Sequence, residues 1–227
     1  MARKLLIGIA IVVATLLVPT SAMAATPYAY HTIVSRSATA SFNVVEGHYA
    51  IAAWVFTTSG RFSLKPGAAP LVGTSGYTDV EIVVQDLDQP SGKGYLEVAD
   101  WSGQVPIAGG FNGDIAGASV TATVPVSDWH SGETAVATVQ VSWAATGPST
   151  TRPSHMHARY PGIVTIVSNS NDNERPAVAT GTVTFDGSDL IENGTDSGAL
   201  VSSVKFNCRQ IGYRVRVDFG ECSAINL

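Results

Sequence analysis

The chain has 227 residues, 45% hydrophobic and 14% charged, with 13 basic against 18 acidic side chains and a net charge of −5. A disordered chain combines low hydrophobicity with high charge, so this composition argues for a folded one. The acidic balance offers no basic patch to neutralise phosphates, which argues against nucleic acid as a partner.

Arg3 and Lys4 precede a run of 14 residues from Leu5 to Val18, followed by Pro19 and Ala22-Met23-Ala24. A basic start, a short apolar core and a small-x-small end predict a Sec-type signal peptide over 1–24. The run is too short to span a bilayer of about 30 Å at 1.5 Å per residue. Cleavage after Ala24 leaves 11 basic and 18 acidic residues, and no membrane span is expected in the mature chain. The expected product is exported and released, its length suiting a single β-sandwich domain over 25–227, or two packed halves meeting near 102–118.

Along that mature chain, Ala38 to Val45 alternates, with Ala40, Phe42 and Val44 on one face. His48 to Thr58 is apolar on both faces: Ala50, Ala52, Trp54 and Phe56 against Tyr49, Ile51 and Val55. That pattern predicts a central strand covered on both sides, with Trp54 in the core. Residues 59–76 hold enough Gly and Pro to predict a long connection. Asp79 to Gln85 and Tyr95 to Trp101 read as a hairpin joined by a turn over 86–94. Residues 102–118 read as Gly-rich and connective.

The cleanest pattern lies between Ser119 and Trp143. Val120, Ala122, Val124 and Val126 alternate with polar residues, as do Ala135, Ala137, Val139, Val141 and Trp143 after them. A period of two defines a half-buried strand, so this is a hairpin with Trp143 buried and Trp129 exposed at its tip. Asp128-Trp129-His130-Ser131-Gly132 matches Asp88-Gln89-Pro90-Ser91-Gly92 at an offset of 40 residues. The physical reading of D-x-x-S-G is a turn in which the Asp oxygen accepts backbone N–H groups and Gly supplies positive φ.

Strands follow at 162–168, 177–185, 199–207 and 213–219, separated by polar segments at 169–175 and 186–197, with a tight turn at 209–212. No segment sustains a helical period. The predicted fold is an all-β antiparallel sandwich, immunoglobulin-like or jelly-roll-like. The combination D-W-x-S-G, then V-S-W-A-A-T-G, then S-H-M-H with Pro161-Gly162 soon after, resembles a group of uncharacterised exported bacterial proteins. That resemblance covers about the middle half of the chain. It implies a secreted β fold and nothing about catalysis.

Three kinds of site can be read. Trp129 and His130, at a hairpin tip, are candidates to bind a carbohydrate or a surface protein, with the aromatic ring as a stacking platform. His155 and His157 would project the same way from an extended segment and could share Zn or Cu, with a third ligand from His130, His48 or a carboxylate. Arg152 and Arg159 oppose that reading, because nearby cations repel a metal. Calcium on the acidic runs is a weaker fit, since Asn and Asp there are ordinary turn formers. No nucleophile elbow, zinc helix or phosphate loop is present. Finally, Cys208 and Cys222 are the only cysteines, and an oxidising compartment favours a disulfide between them, which conflicts with a tight turn at 209–212. The function expected is therefore non-enzymatic extracellular binding or adhesion, and the alternative a metal protein or enzyme centred on His155 and His157.

Overall fold

The computed structural model describes residues 29–66, 71–91, 94–160 and 164–212. The expected signal peptide, the strand at 213–219 and Cys222 lie outside those residues. Twelve antiparallel strands follow in order: β1 (Ala29–Glu46), β2 (Tyr49–Pro66), β3 (Leu71–Ser75), β4 (Thr78–Ser91), β5 (Gly94–Val105), β6 (Gly110–Phe111), β7 (Gly117–Asp128), β8 (Thr134–Ala145), β9 (Thr150–Tyr160), β10 (Val164–Phe185), β11 (Ser188–Asp196) and β12 (Leu200–Gly212). They form one sheet in the order β1-β12-β10-β8-β7-β5-β4-β2-β3, and an additional β1–β2 pairing brings its ends together. The all-β antiparallel fold expected from the sequence is the fold observed.

Two regions share these strands. In the first, the C-terminal half of β1 with β2, β4 and β5 makes one layer, and β7, β8, the C-terminal half of β10 and β11 make the other. Alternation decides what lies between them. Val120, Ala122, Val124 and Val126 of β7 and Ala135, Ala137, Val139 and Val141 of β8 are buried, and they meet Ala40, Phe42, Ile51, Ala53, Val55, Val80 and Ile82 from the facing layer. Each buried valine is worth about 1.5–3 kcal/mol relative to an exposed one. Trp143, 3% exposed, sends its indole N–H across to the Thr39 carbonyl at 2.8 Å, fastening β8 to β1. At one corner β5 turns into β7 through the pairs Trp101–Asp128 and Ser102–Ser127. Gly103 is required there, because a Cβ would collide with the Pro125 carbonyl. At the opposite edge the Ser41 amide donates to the Asp196 carboxylate at 2.8 Å, bringing β11 onto β1.

The second region is an open sheet in the order β3-β2-β1-β12-β10-β9, built from the remaining strand halves. Residues 32–36 and 202–204 are only half-buried. A small apolar cluster of Cys208, Met156, Ala158 and Phe206 is joined there by cross-strand polar pairs: Thr32 with Asn207, Ser37 with Ser202, Thr151 with Asn173, Ser154 with Ser170.

Several expectations from the sequence are corrected. The connection expected at 59–76 is the end of β2 and all of β3, and 102–118 contributes to β5, β6 and β7. The polar segment 169–175 runs through the middle of the 22-residue β10, between β12 and β9 on either side. Residues 186–197 form a two-residue turn and β11, with positive φ at Asp186 and Gly187 as that hairpin requires. Pairing to both neighbouring strands in β10, and to one strand in β3, β6 and β11, outweighs turn-forming composition. The tight turn expected at 209–212 is absent: β12 stays paired through Gly212.

Candidate functional site

Trp129 is 82% exposed, the largest exposure among the buried and exposed apolar residues of the described chain. Its position is fixed by the turn predicted from sequence. Asp128, buried, accepts the Ser131 amide at 2.8 Å and the Ser131 hydroxyl at 2.6 Å through Oδ2, while Oδ1 accepts the Asp100 amide at 2.9 Å. The Ser131 hydroxyl first, then the Asp100 amide, hold the Asp128 carboxyl down to about 2, against the effect of burial. Gly132 closes the turn at a φ of +74°. In the first hairpin the equivalent role falls to Asp86, which is buried and accepts the Asp88 amide and the Gln89 side chain, so the match drawn from Asp88 is two residues out of step.

The tip is pinned to its neighbour. The Trp129 amide donates to the Asp100 carbonyl at 2.8 Å, and His130 Nε2 lies 3.1 Å from Glu97 Oε1. Asp128 and Trp101 face inward, so the neighbouring Asp100 is on the outer side of the sheet, and Trp129 lies beside it in the turn after β7.

That outer side carries a set of residues the sequence reading did not assemble. Trp54, expected in the core, lies on it: Ile51, Ala53 and Val55 are the inward residues of β2, leaving Trp54 and Phe56 to stack outward with ring centroids 5.6 Å apart and planes parallel. Tyr77 tilts against Phe56 at 5.7 Å. Trp54 pairs with Glu81 in register, and Phe56 with Asp79. The Glu81 carboxyl is raised from its ordinary value, by burial first and then by Asp100, Asp79 and Glu97. Asp79 is raised by burial, opposed by the Val80 amide. Asp100 has one carboxylate oxygen, Oδ1, with no hydrogen-bond partner. Along β2 from Trp54, the small side chains of Ala50 and Ala52 leave a shallow depression between Asn43 and Gln85.

Trp54 and Glu81 are direct neighbours on β2 and β4, Asp100 on β5 pairs with Val83 two residues along, and Trp129 stands past the corner in the turn that follows β7. Such a face can stack flat apolar ring surfaces on its aromatics and accept hydrogen bonds on its acids. The one visible signal was the i, i+2 pair Asp79–Glu81. Nothing in sequence ties it to Trp129.

His155 and His157 stand elsewhere, on β9 in the open sheet. The extended strand directs both to the side opposite Met156 and Ala158, as expected for residues two apart. His155 Nδ1 is 2.6 Å from the Asn169 side-chain oxygen directly across the ladder, and Arg159 follows on the same side as His157. Among the described residues no three of His, Cys, Asp and Glu gather closely enough to hold a metal ion. His130, named as a third ligand, is engaged with Glu97. Arg152 pairs instead with Glu174 at 3.2 Å. The Asn-rich run considered for calcium lies inside β10, where Asn169 and Asn173 bond across the sheet.

No family model matches this chain, and no curated protein does. Among solved structures, an enduracididine biosynthesis enzyme MppR, complexed with the condensation product of pyruvate and imidazole 4-carboxaldehyde, aligns at 10% identity over 86% of this chain and 91% of that one, with a TM-score of 0.13. A score that low indicates no shared fold. No family follows from it.

Proposed function

We propose that this is an exported, non-enzymatic binding protein that takes carbohydrate at Trp54 and Trp129. The observation that carries the reading is the pair of exposed aromatic features, Trp54 stacked on Phe56 beside Glu81 and Trp129 82% exposed at the neighbouring hairpin tip. Sugar rings present apolar faces and hydroxyl edges, which such a surface matches without a deep pocket. Binding fits better than turnover, because the face is shallow and open to water. In the same reading residues 1–24 direct export, as the resemblance to exported bacterial β proteins implies. A bridge from Cys208 to Cys222 suits that compartment; it is supported by the complete burial of Cys208 and by the lack of a free cysteine among the described residues.

Intrinsic tryptophan fluorescence tests the proposal. Titration with neutral, acidic and amine-bearing oligosaccharides is expected to change the emission with at least one class, and Trp129→Ala is expected to abolish that change. Silence across all three classes would overturn the reading.

A further inference from the structure

We propose that the open sheet carries a second binding face, one that takes an acidic polysaccharide; it is separate from the tryptophan site and does not rest on it. Strand alternation decides which side chains share a side. Ala38 and Val201 belong to the sandwich core, so Thr32, Val34 and Arg36 of β1 and Ser203, Lys205 and Asn207 of β12, in step with them, continue the core-facing side past the end of the sandwich. Val34 pairs with Arg61 of β2 on one flank and with Lys205 on the other. Those two cations therefore stand on one face, roughly 10 Å apart across two strand spacings. Arg36 lies between them, two residues along β1 and within reach of both. Beyond β12, Lys205 pairs with Asn171 and Asn171 with Pro153, so His155, His157 and Arg159 carry the same side to the β9 edge. Side-chain bonds between strands fix the shared face: Thr32 with Asn207, Asn173 with Ser203, His155 with Asn169.

The two sides of these strands differ in cover and in charge. On one, Cys208 and Ser168 are buried and Met156, Ala158 and Phe206 pack together. On the other, Arg61, Lys205, Asn171, His155, His157 and Arg159 are exposed. The carboxylates of these strand segments, Asp172 and Glu174, both alternate to the covered side, where Glu174 pairs with Arg152 at 3.2 Å. Arg61, Lys205 and Arg159 have no ion pair among the described residues, and Arg36 meets the Gly113 carbonyl at 3.4 Å. Asp114, next to Gly113, is engaged with Arg175 at 3.9 Å. The lack of a basic patch expected from net charge is thereby corrected, because composition cannot show how alternation gathers a few cations on one face. Spread from β2 to β9, over roughly 20 Å of sheet, these cations cannot converge on one small anion. They match charges that recur along a chain. Between them stand mostly Ser, Thr and Asn, which hydrogen-bond sugar hydroxyls. Among the described side chains on this side there is no Trp, Tyr, Phe, Leu, Ile or Met. Nucleic-acid bases therefore find no stacking platform there, and a bilayer finds no large apolar group to take up.

Isothermal titration of the full chain with polygalacturonate at low salt tests the assignment. We expect saturable binding that weakens as salt is added, tighter than any to dextran, a neutral polysaccharide. Arg61→Glu combined with Lys205→Glu should weaken it about tenfold or more, and Arg159→Gln about threefold. Arg152→Gln, on the same strand as Arg159 but on the covered side, should leave it unchanged. Denaturation midpoints show which variants fold; if the double variant does not, the contrast between Arg159→Gln and Arg152→Gln decides alone. No binding of polygalacturonate, or binding that the folded charge-reversed chain retains in full, would overturn the proposal. Equal losses in Arg159→Gln and Arg152→Gln would overturn it too. So would equal or tighter binding of polyglutamate, of a single-stranded oligonucleotide or of phosphatidylglycerol vesicles, which would assign the face to any polyanion, to nucleic acid or to a membrane.

Discussion

The sandwich and the open sheet use the same strands but are held together differently. In the sandwich, β7 and β8 bury every second residue, and one indole hydrogen bond from Trp143 ties the layers. In the open sheet, side chains are half-buried on β1 and β12, and hydroxyl and amide pairs such as Ser154–Ser170 and Thr32–Asn207 link the strands. The difference teaches where function can sit. A sealed apolar layer can carry unfavourable charge on its outer surface, and Asp79 and Glu81 show that cost in their raised carboxyls. The open sheet has only the small apolar cluster around Cys208 for such a reserve, and its histidine at 155 is engaged in cross-strand bonding.

The sharpest way to break this contrast is to remove one side chain from each region. Trp143→Ala should cost about 3–5 kcal/mol in denaturant unfolding, the range for a large buried aromatic. Ser154→Ala should cost no more than about 0.5–1.5 kcal/mol, since one exposed hydroxyl pair is lost. Comparable losses would mean that the two regions do not differ in what stabilises them.

Acid should act next, through the turn that positions Trp129. Asp128 has its carboxyl lowered to about 2 in the folded chain, chiefly by the Ser131 hydroxyl. A depressed acid stabilises the fold fully above its unfolded value, about 3.9, and loses that contribution as pH falls toward 2. Denaturation midpoints taken from pH 5 to pH 2 should therefore fall more steeply for the native chain than for Asp128→Asn. Parallel curves would remove Asp128 from the account of the tip.

The smallest effect has the opposite sign. Glu81 has a raised carboxyl, so its ionisation at neutral pH opposes folding. Glu81→Gln should stabilise the chain at pH 7, by less than about 1 kcal/mol because solvent screens an open face. That gain should vanish as pH falls through the raised value, where the native side chain is itself neutral. A loss of stability at pH 7 would show that Glu81 makes a favourable contact instead.

Much of the sandwich was legible because its strands alternate strictly: Val120 to Val126 and Ala135 to Trp143 allow only one inward face. The exposure of Trp129 and the Asp128–Ser131–Gly132 turn followed from local chemistry. Trp54 was not legible, since β2 is apolar on both faces and alternation cannot then say which is inward; the partners Phe42 and Val80 decide it. The long strands were hidden by turn-forming residues, as at Asn169–Arg175, that tertiary pairing overrides. Nor could the candidate site be seen, because its members come from three strands and a hairpin tip and share no spacing along the chain.

The central claim, that ligand is held at Trp129 and Trp54, is tested most directly by following the indole N–H resonances of the four tryptophans while an oligosaccharide that changes the tryptophan emission is added. We expect the Trp129 and Trp54 signals to shift in a saturable way, and the Trp143 signal, bonded to the Thr39 carbonyl inside the core, to stay in place. Saturable shifts confined to the β9 histidines, with all four indoles unmoved, would contradict it.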